Sequence, residues 1–209
     1  ASTNLFFAWH TSPTKTFADA QKRETICGSS GSGTTTDAPR VLNEYAGAKF
    51  KLILGYRGST EVLLALERGE VECGYALWSD FKARRADWVA EKKVHNLYIM
   101  ATERHPDLPD VPAAAELVTT EEGKRIVALF SSGSDIGRAI FTTPDVPADR
   151  VATLREGFTA LMQDPAFLAE AKQIKLHLEP LDGETLQKQV ARSLDQPPAL
   201  IEKAKEIRK

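Results

Sequence analysis

Two cysteines, two methionines and four histidines are all that the 209 residues contain of those types. Cysteine this scarce excludes a disulfide-stapled scaffold, and His10, His95, His105 and His177 lack the spacing of a metal site. Neither a metal nor a cofactor is expected. Charge of one sign is also lacking: 27 Lys and Arg against 29 Asp and Glu leave a net charge of −2, which gives no general electrostatic reason to bind nucleic acid. No apolar run approaches the ~20 residues that span a bilayer, and no secretory leader opens the chain. A start at Ala1-Ser2-Thr3 rather than methionine reads as a processed or shortened chain.

What is present describes a folded protein. With 42% hydrophobic and 27% charged residues the chain is long enough for one large or two small domains with cores. Leu5 to Trp9 reads as an aromatic strand, and Thr16 to Lys22 as a short helix with Thr16 as its cap and Asp19 at N3. Thr25 to Cys27 ends a buried strand, Gly28 to Gly33 is a tight loop, and the helix from Thr34 stops at Gly47. Phe50 to Tyr56, apolar beyond Lys51, suits a strand covered on both faces. A helix from Glu61 to Arg68, capped by Ser59, leads to a strand over Val71 to Leu77, then one charged helix from Asp80 to Lys92 and a strand from His95 to Ala101. Strands alternating with helices imply right-handed crossovers and a mostly parallel α/β sheet. Beyond the loop His105 to Pro112, a helix is expected over Glu121 to Phe130, a break at Ser131 to Ser134, and a strand at Arg138 to Thr142. Four helices follow, the first with Val151, Leu154, Phe158 and Leu161 along one face.

Cys27 and Cys73 both sit in apolar, strand-like contexts. They read first as buried free thiols behaving as small hydrophobes. The second reading is a disulfide, should the strands be neighbours in an oxidising compartment.

Two glycine-rich corners carry the candidate chemistry. Glu24 to Thr36, ETICGSSGSGTTT, and Tyr56 to Thr60, YRGST, each turn a strand into a helix and aim backbone N–H groups and the positive end of a helix dipole at one spot, where an anion binds. In parallel sheets ligands lie at the carboxyl ends of strands, where both corners fall. A phosphate loop would need lysine where Thr34 stands, and a dinucleotide fingerprint would need a third glycine at Thr36, so neither pattern is met. The plain structural alternative is a turn that serves only the chain path. No G-x-S-x-G elbow pairs with a histidine, so no enzyme activity is expected. Glu72 and Glu70 flank the glycine turns and are weaker cleft candidates, read mainly as solvated strand-end carboxylates; Trp9 and Trp78 are read as pocket walls or as core.

The phrases KTFADAQKRETICGSSGSGTTT, LNEYAGAKFKLILGYRGSTEVLLALERGEVECG, DWVAEKKV, LPDVPAAAEL and PADRVATLREGFTALMQDPAFLAEAKQ resemble the Bug-type substrate-binding proteins of tripartite tricarboxylate transporters, over Phe6 to Ile174. The resemblance implies a type II periplasmic-binding-protein fold with a three-layer α/β/α domain. It also implies a periplasmic location, a small carboxylate as ligand, and the membrane permease subunits of a tripartite transporter as partners. Carried onto matching positions, it implies Ser30, Gly31, Ser32, Gly33 and Thr34 in one corner, and Tyr56, Gly58, Ser59 and Thr60 in the other, as ligand-binding residues. Such proteins carry most of a first domain ahead of LFFAW. On that basis residues 1–12 are a crossing strand and remnant of the first domain and 13–135 the second domain. Residues 136–209 then hold the second crossing strand and helices of the first domain. The helical stripe from Val151 to Leu161, with Phe6 and Phe7, is then expected to be partly uncovered and prone to self-association. An effector-binding domain of a transcription regulator shares this architecture and is the alternative.

Overall fold

The computed structural model describes residues 3–137, 139–174, 176 and 178–209. They form two compact units, one of 136–195 and one of the residues up to 135 joined by 196–209. The sequence places 196–209 with the helices before them; here they group with the sheet.

The larger unit is built on a five-stranded sheet of order β3-β2-β4-β1-β5. Its strands are β1 (Asn4–Trp9), β2 (Thr25–Gly28), β3 (Phe50–Ile53), β4 (Cys73–Leu77) and β5 (Val94–Ile99). β2 pairs in parallel with β3 and β4, and β1 is antiparallel to β4 and β5. Four strands therefore share one direction and β1 opposes them, so the sheet is mostly parallel. The helices are α1 (Phe17–Lys22), α2 (Thr34–Ala46), α3 (Ser59–Glu67), α4 (Trp78–Arg84), α5 (Ala86–Ala90), α6 (Ala114–Leu117) and α7 (Glu121–Ile136), and later α11 (Pro198–Arg208).

Apolar residues alternate across β1 and so feed both faces. Phe6 and Ala8 belong to one core cluster with Val41, Leu42, Phe50 and Tyr98, whereas Leu5 and Phe7 belong to a second with Leu66, Trp78, Phe81 and Trp88. Phe6 and Phe7, expected to be uncovered, are 2% and 0% exposed, because β1 sits between two partners inside the sheet.

Local signals set the helix ends. Thr16 caps α1 in a complete capping box with Asp19, and Gly47 closes α2 in the left-handed conformation at φ 63°. Several expectations are corrected. β3 is an edge strand of four residues, with Ile53 and Leu54 exposed, so its apolar run does not mean cover on both faces. The charged helix of 80–92 is broken at Arg85 into α4 and α5, where the backbone leaves the helical region at φ −133° and ψ 36°. The Ser131 to Ser134 stretch is helical and lies inside α7. There the buried Ile126, Val127 and Phe130 anchor the preceding turns and the Ser132 hydroxyl donates to the Leu129 carbonyl at 2.7 Å. Residues 139–142 form no strand, and Arg138 lies outside the described residues.

α3 packs closely on the sheet. A Cβ added at Gly74 would stand 2.6 Å from Leu66 Cδ1 and 3.1 Å from Val62 Cγ1. Gly74→Ala is therefore expected to cost about 1–2 kcal/mol by overpacking, read as a lower urea midpoint at unchanged slope.

α11 docks on α2. The Arg208 guanidinium reaches Asp37 at 3.0 Å and lies 5.1 Å from the Phe130 ring centre, while Arg40 donates to the Ile207 carbonyl at 3.2 Å. Leu200 is the buried residue of α11.

The smaller unit holds α8 (Ala148–Leu161), α9 (Pro165–Gln173) and α10 (Gly183–Leu194). Asp164 and Asp182 cap α9 and α10 through first-turn N–H groups, and Arg155 of α8 donates to Gln187 of α10 at 2.9 Å. No residue of α8 is buried, and Leu154 and Leu161 of its stripe are exposed.

Candidate functional site

β2 and β3 run side by side in register from Thr25 opposite Phe50 to Gly28 opposite Ile53. Their carboxyl ends therefore release the two glycine corners at one edge of the sheet. Hydrogen bonds join the corners: the Ser29 N–H donates to the Ile53 carbonyl at 2.9 Å, and the Tyr56 N–H to the Ser29 carbonyl at 3.4 Å. The Cα of Gly28 faces α3 so closely that an added Cβ would meet Val62 Cγ1 at 2.9 Å and the Tyr56 ring at 3.2 Å.

In the first corner a hydroxyl network holds the loop. The fully buried Ser29 Oγ lies 2.7 Å from the Thr36 hydroxyl and 3.3 Å from that of Thr35, and accepts the Gly31 N–H at 3.3 Å. Thr35 Oγ1 also donates to the Ser32 carbonyl at 3.1 Å and pairs with Ser30 Oγ at 3.0 Å. Gly33 is the N-cap of α2 at φ 68°, a region that residues with a Cβ enter at a cost. The second corner is simpler. Gly58 is the N-cap of α3, and Ser59 is its first residue rather than its cap.

Neither N-cap supplies a side chain to the first-turn N–H groups of its helix. α2 has 13 residues and α3 has nine, so two partial positive charges of about +0.5 each lie near one edge of the sheet without a side-chain acceptor. Two acidic groups stand close by. Glu61 accepts the Arg57 N–H at 2.8 Å, and Asp37, in the first turn of α2, is bound by Arg208. Burial pushes the Asp37 carboxyl up, and the Arg208 guanidinium, then Arg40, pull against it.

The predicted residues fall as follows. Gly31, Ser32 and Gly33 are exposed at the loop, and Ser30 and Thr34 are half-buried beside it. Tyr56 and Gly58 are half-buried, and Ser59 and Thr60 are exposed at the start of α3. Ser29, Thr35 and Thr36, which shape the loop, escape the sequence reading. A run of hydroxyl residues does not say which of them turn inward.

Glu72 lies away from the corner. It takes the Arg23 guanidinium through both oxygens, at 3.0 and 3.2 Å, and accepts the Ile26 N–H at 3.0 Å. Glu72→Gln is expected to lower stability by about 1 kcal/mol, since the pair is partly exposed, and to leave carboxylate affinity unchanged. Parallel urea and titration measurements check both parts. Trp78 is a core residue that donates from Nε1 to Asp107 at 3.1 Å, and Trp9 is half-buried with its ring edge-on to Trp88 at 4.6 Å. Among the described residues no three His, Cys, Asp or Glu side chains gather where they could hold a metal ion.

No protein-family model and no curated protein matches the chain. Solved structures do. An R. palustris protein with adipate matches at a TM-score of 0.61 and 16% identity, covering 99% of this chain and 65% of its own. A TctC solute-binding protein from Polaromonas matches at 0.60 and 19%, covering 97% of this chain and 68% of its own. The periplasmic binding protein BugD matches at 0.60 and 17%, with 98% and 66% covered. At these identities the likeness establishes the fold, which is periplasmic-binding-protein-like. The chain spans about two-thirds of the length of these proteins.

Proposed function

We propose that this chain belongs to a solute-binding receptor that takes a small carboxylate at the paired corners and delivers it, in the periplasm, to the permease subunits of a tripartite tricarboxylate transporter. The observation that carries this reading is the pair of helix N-termini without side-chain caps at the ends of adjacent parallel strands. A carboxylate there accepts N–H groups from Ser32 to Thr34 and from Gly58 to Thr60. The Ser30, Ser32, Ser59 and Thr60 hydroxyls stand ready to follow the ligand's lone pairs. Arg57, the cation within the second corner, pairs with Glu61 at 3.7 Å, so backbone N–H groups and hydroxyls are the principal donors to the ligand. The adipate in one structurally similar protein supports the same ligand class. The role is binding without turnover.

Calorimetric titration with adipate, succinate and citrate, beside the neutral diamide of adipate, tests this. Saturable heat is expected with at least one acid and none with the diamide. Silence from every acid, or equal binding of the diamide, would contradict it.

A further inference from the structure

β2 and β4 touch at one register pair, and that pair is Cys27 opposite Cys73. Both side chains are buried, at 2% and 1% exposure, and both belong to the same core cluster. Neighbouring strands run about 4.8 Å apart, inside the Cα separation of roughly 4.4–6.8 Å that a disulfide bridges. Residues paired in register on parallel strands also present their side chains to the same face of the sheet. The two sulfurs are free thiols here, weakly directed at the carbonyls of Thr25 and Gly74 at 3.7 and 3.9 Å.

We propose that Cys27 and Cys73 are a disulfide-forming pair, closing an intramolecular cross-strand bridge when the chain folds under oxidising conditions. The bridge encloses residues 28–72 and with them both glycine corners, tying the strand that opens the first corner to the strand that follows α3. It rests on the strand register alone and stands whether or not the corners bind a carboxylate.

The chemistry is thiol–disulfide exchange with a small disulfide such as oxidised glutathione. One cysteine thiolate attacks a glutathione sulfur, breaking that S–S bond, forming a mixed disulfide and releasing one glutathione thiolate. The second cysteine thiolate then attacks the chain's own sulfur in the mixed disulfide and releases the other glutathione. The chain gives up two protons and two electrons, and the oxidant is reduced to two thiols. In the finished core both sulfurs are buried away from a dissolved disulfide, and burial, then the neighbouring Cys73, pushes the Cys27 thiol well above its ordinary range. Exchange therefore belongs to the stage before β2 and β4 close.

The test uses the full chain, reduced and unfolded, then refolded in a glutathione redox buffer and alkylated in denaturant. The expected product is a folded monomer whose intact mass is lower by two hydrogen atoms and carries no alkyl group. Its digest is expected to contain a Cys27–Cys73 peptide pair that separates on reduction. Two alkylated cysteines, stable glutathione adducts, a bridge between two chains, or a bridged form without native circular dichroism would each overturn the proposal. A second arm treats the folded, reduced protein with the same buffer. Bridging at least tenfold slower than during refolding is expected, and equal rates would overturn the assignment of exchange to the open chain.

Discussion

Phe6→Ala is expected to destabilise the larger unit by about 3–5 kcal/mol, the range for emptying a buried aromatic site. The Phe6 ring stacks on Tyr98 with centroids 4.6 Å apart and planes within 6°, and lies 6.1 Å from the Tyr75 ring. Tyr98 in turn meets Phe17 edge-on at 6.0 Å and Phe50 at 5.9 Å. Truncating Phe6 therefore withdraws the ring that joins β1 to a cluster spanning β3, β5 and α1. Its neighbours on β4 and β5 are held by strand pairing and cannot move in to fill the space, so the cavity term adds to the lost transfer energy. Urea unfolding at equilibrium measures the loss. A cost under 1 kcal/mol would mean that the face carrying Phe6 is not the packed core described here.

Gly33→Val is expected to weaken carboxylate binding about a hundredfold. At φ 68° the N-cap of α2 occupies the left-handed region, where a β-branched residue is a genuine outlier. Valine forces the turn to rebuild and swings the first N–H groups of α2 away from the corner. Losing two hydrogen bonds to a charged ligand, at about 1.5 kcal/mol each, amounts to about 3 kcal/mol, or roughly two decades of affinity. The same change is expected to leave most of the stability intact, because Gly33 is exposed and nothing lies within 4 Å of the position its Cβ would take. Titration calorimetry beside a thermal melt separates the two effects. Unchanged affinity would remove α2 from the site.

Much of this arrangement is legible in local sequence, because its causes are local. Thr16 with Asp19 writes a capping box, Gly47 writes a helix stop, and alternating strands and helices write a mostly parallel sheet. The corners are legible for the same reason: glycines after an apolar run mark where a strand must become a helix. What the sequence hides depends on distant partners. The four-residue β3 is apolar enough for the middle of a sheet, yet strand order, a property of the whole chain, leaves it at the edge. Phe6 and Phe7 read as partly uncovered until β1 is seen between β4 and β5. The docking of α11 rests on Arg208 reaching Asp37 from 171 positions away, which no periodicity announces. Ser131 to Ser134 reads as a break because serine and glycine are weak helix formers. The buried side chains at Ile126, Val127 and Phe130 override that weakness.

Amide chemical shifts recorded residue by residue while adipate is added test the central claim most directly. Saturable shifts concentrated at Ser30 to Thr36 and at Tyr56 to Glu61, with one common dissociation constant for both groups, are the predicted result. Shifts confined to one corner, scattered over the sheet or clustered elsewhere would contradict a carboxylate clamp built from two neighbouring helix N-termini.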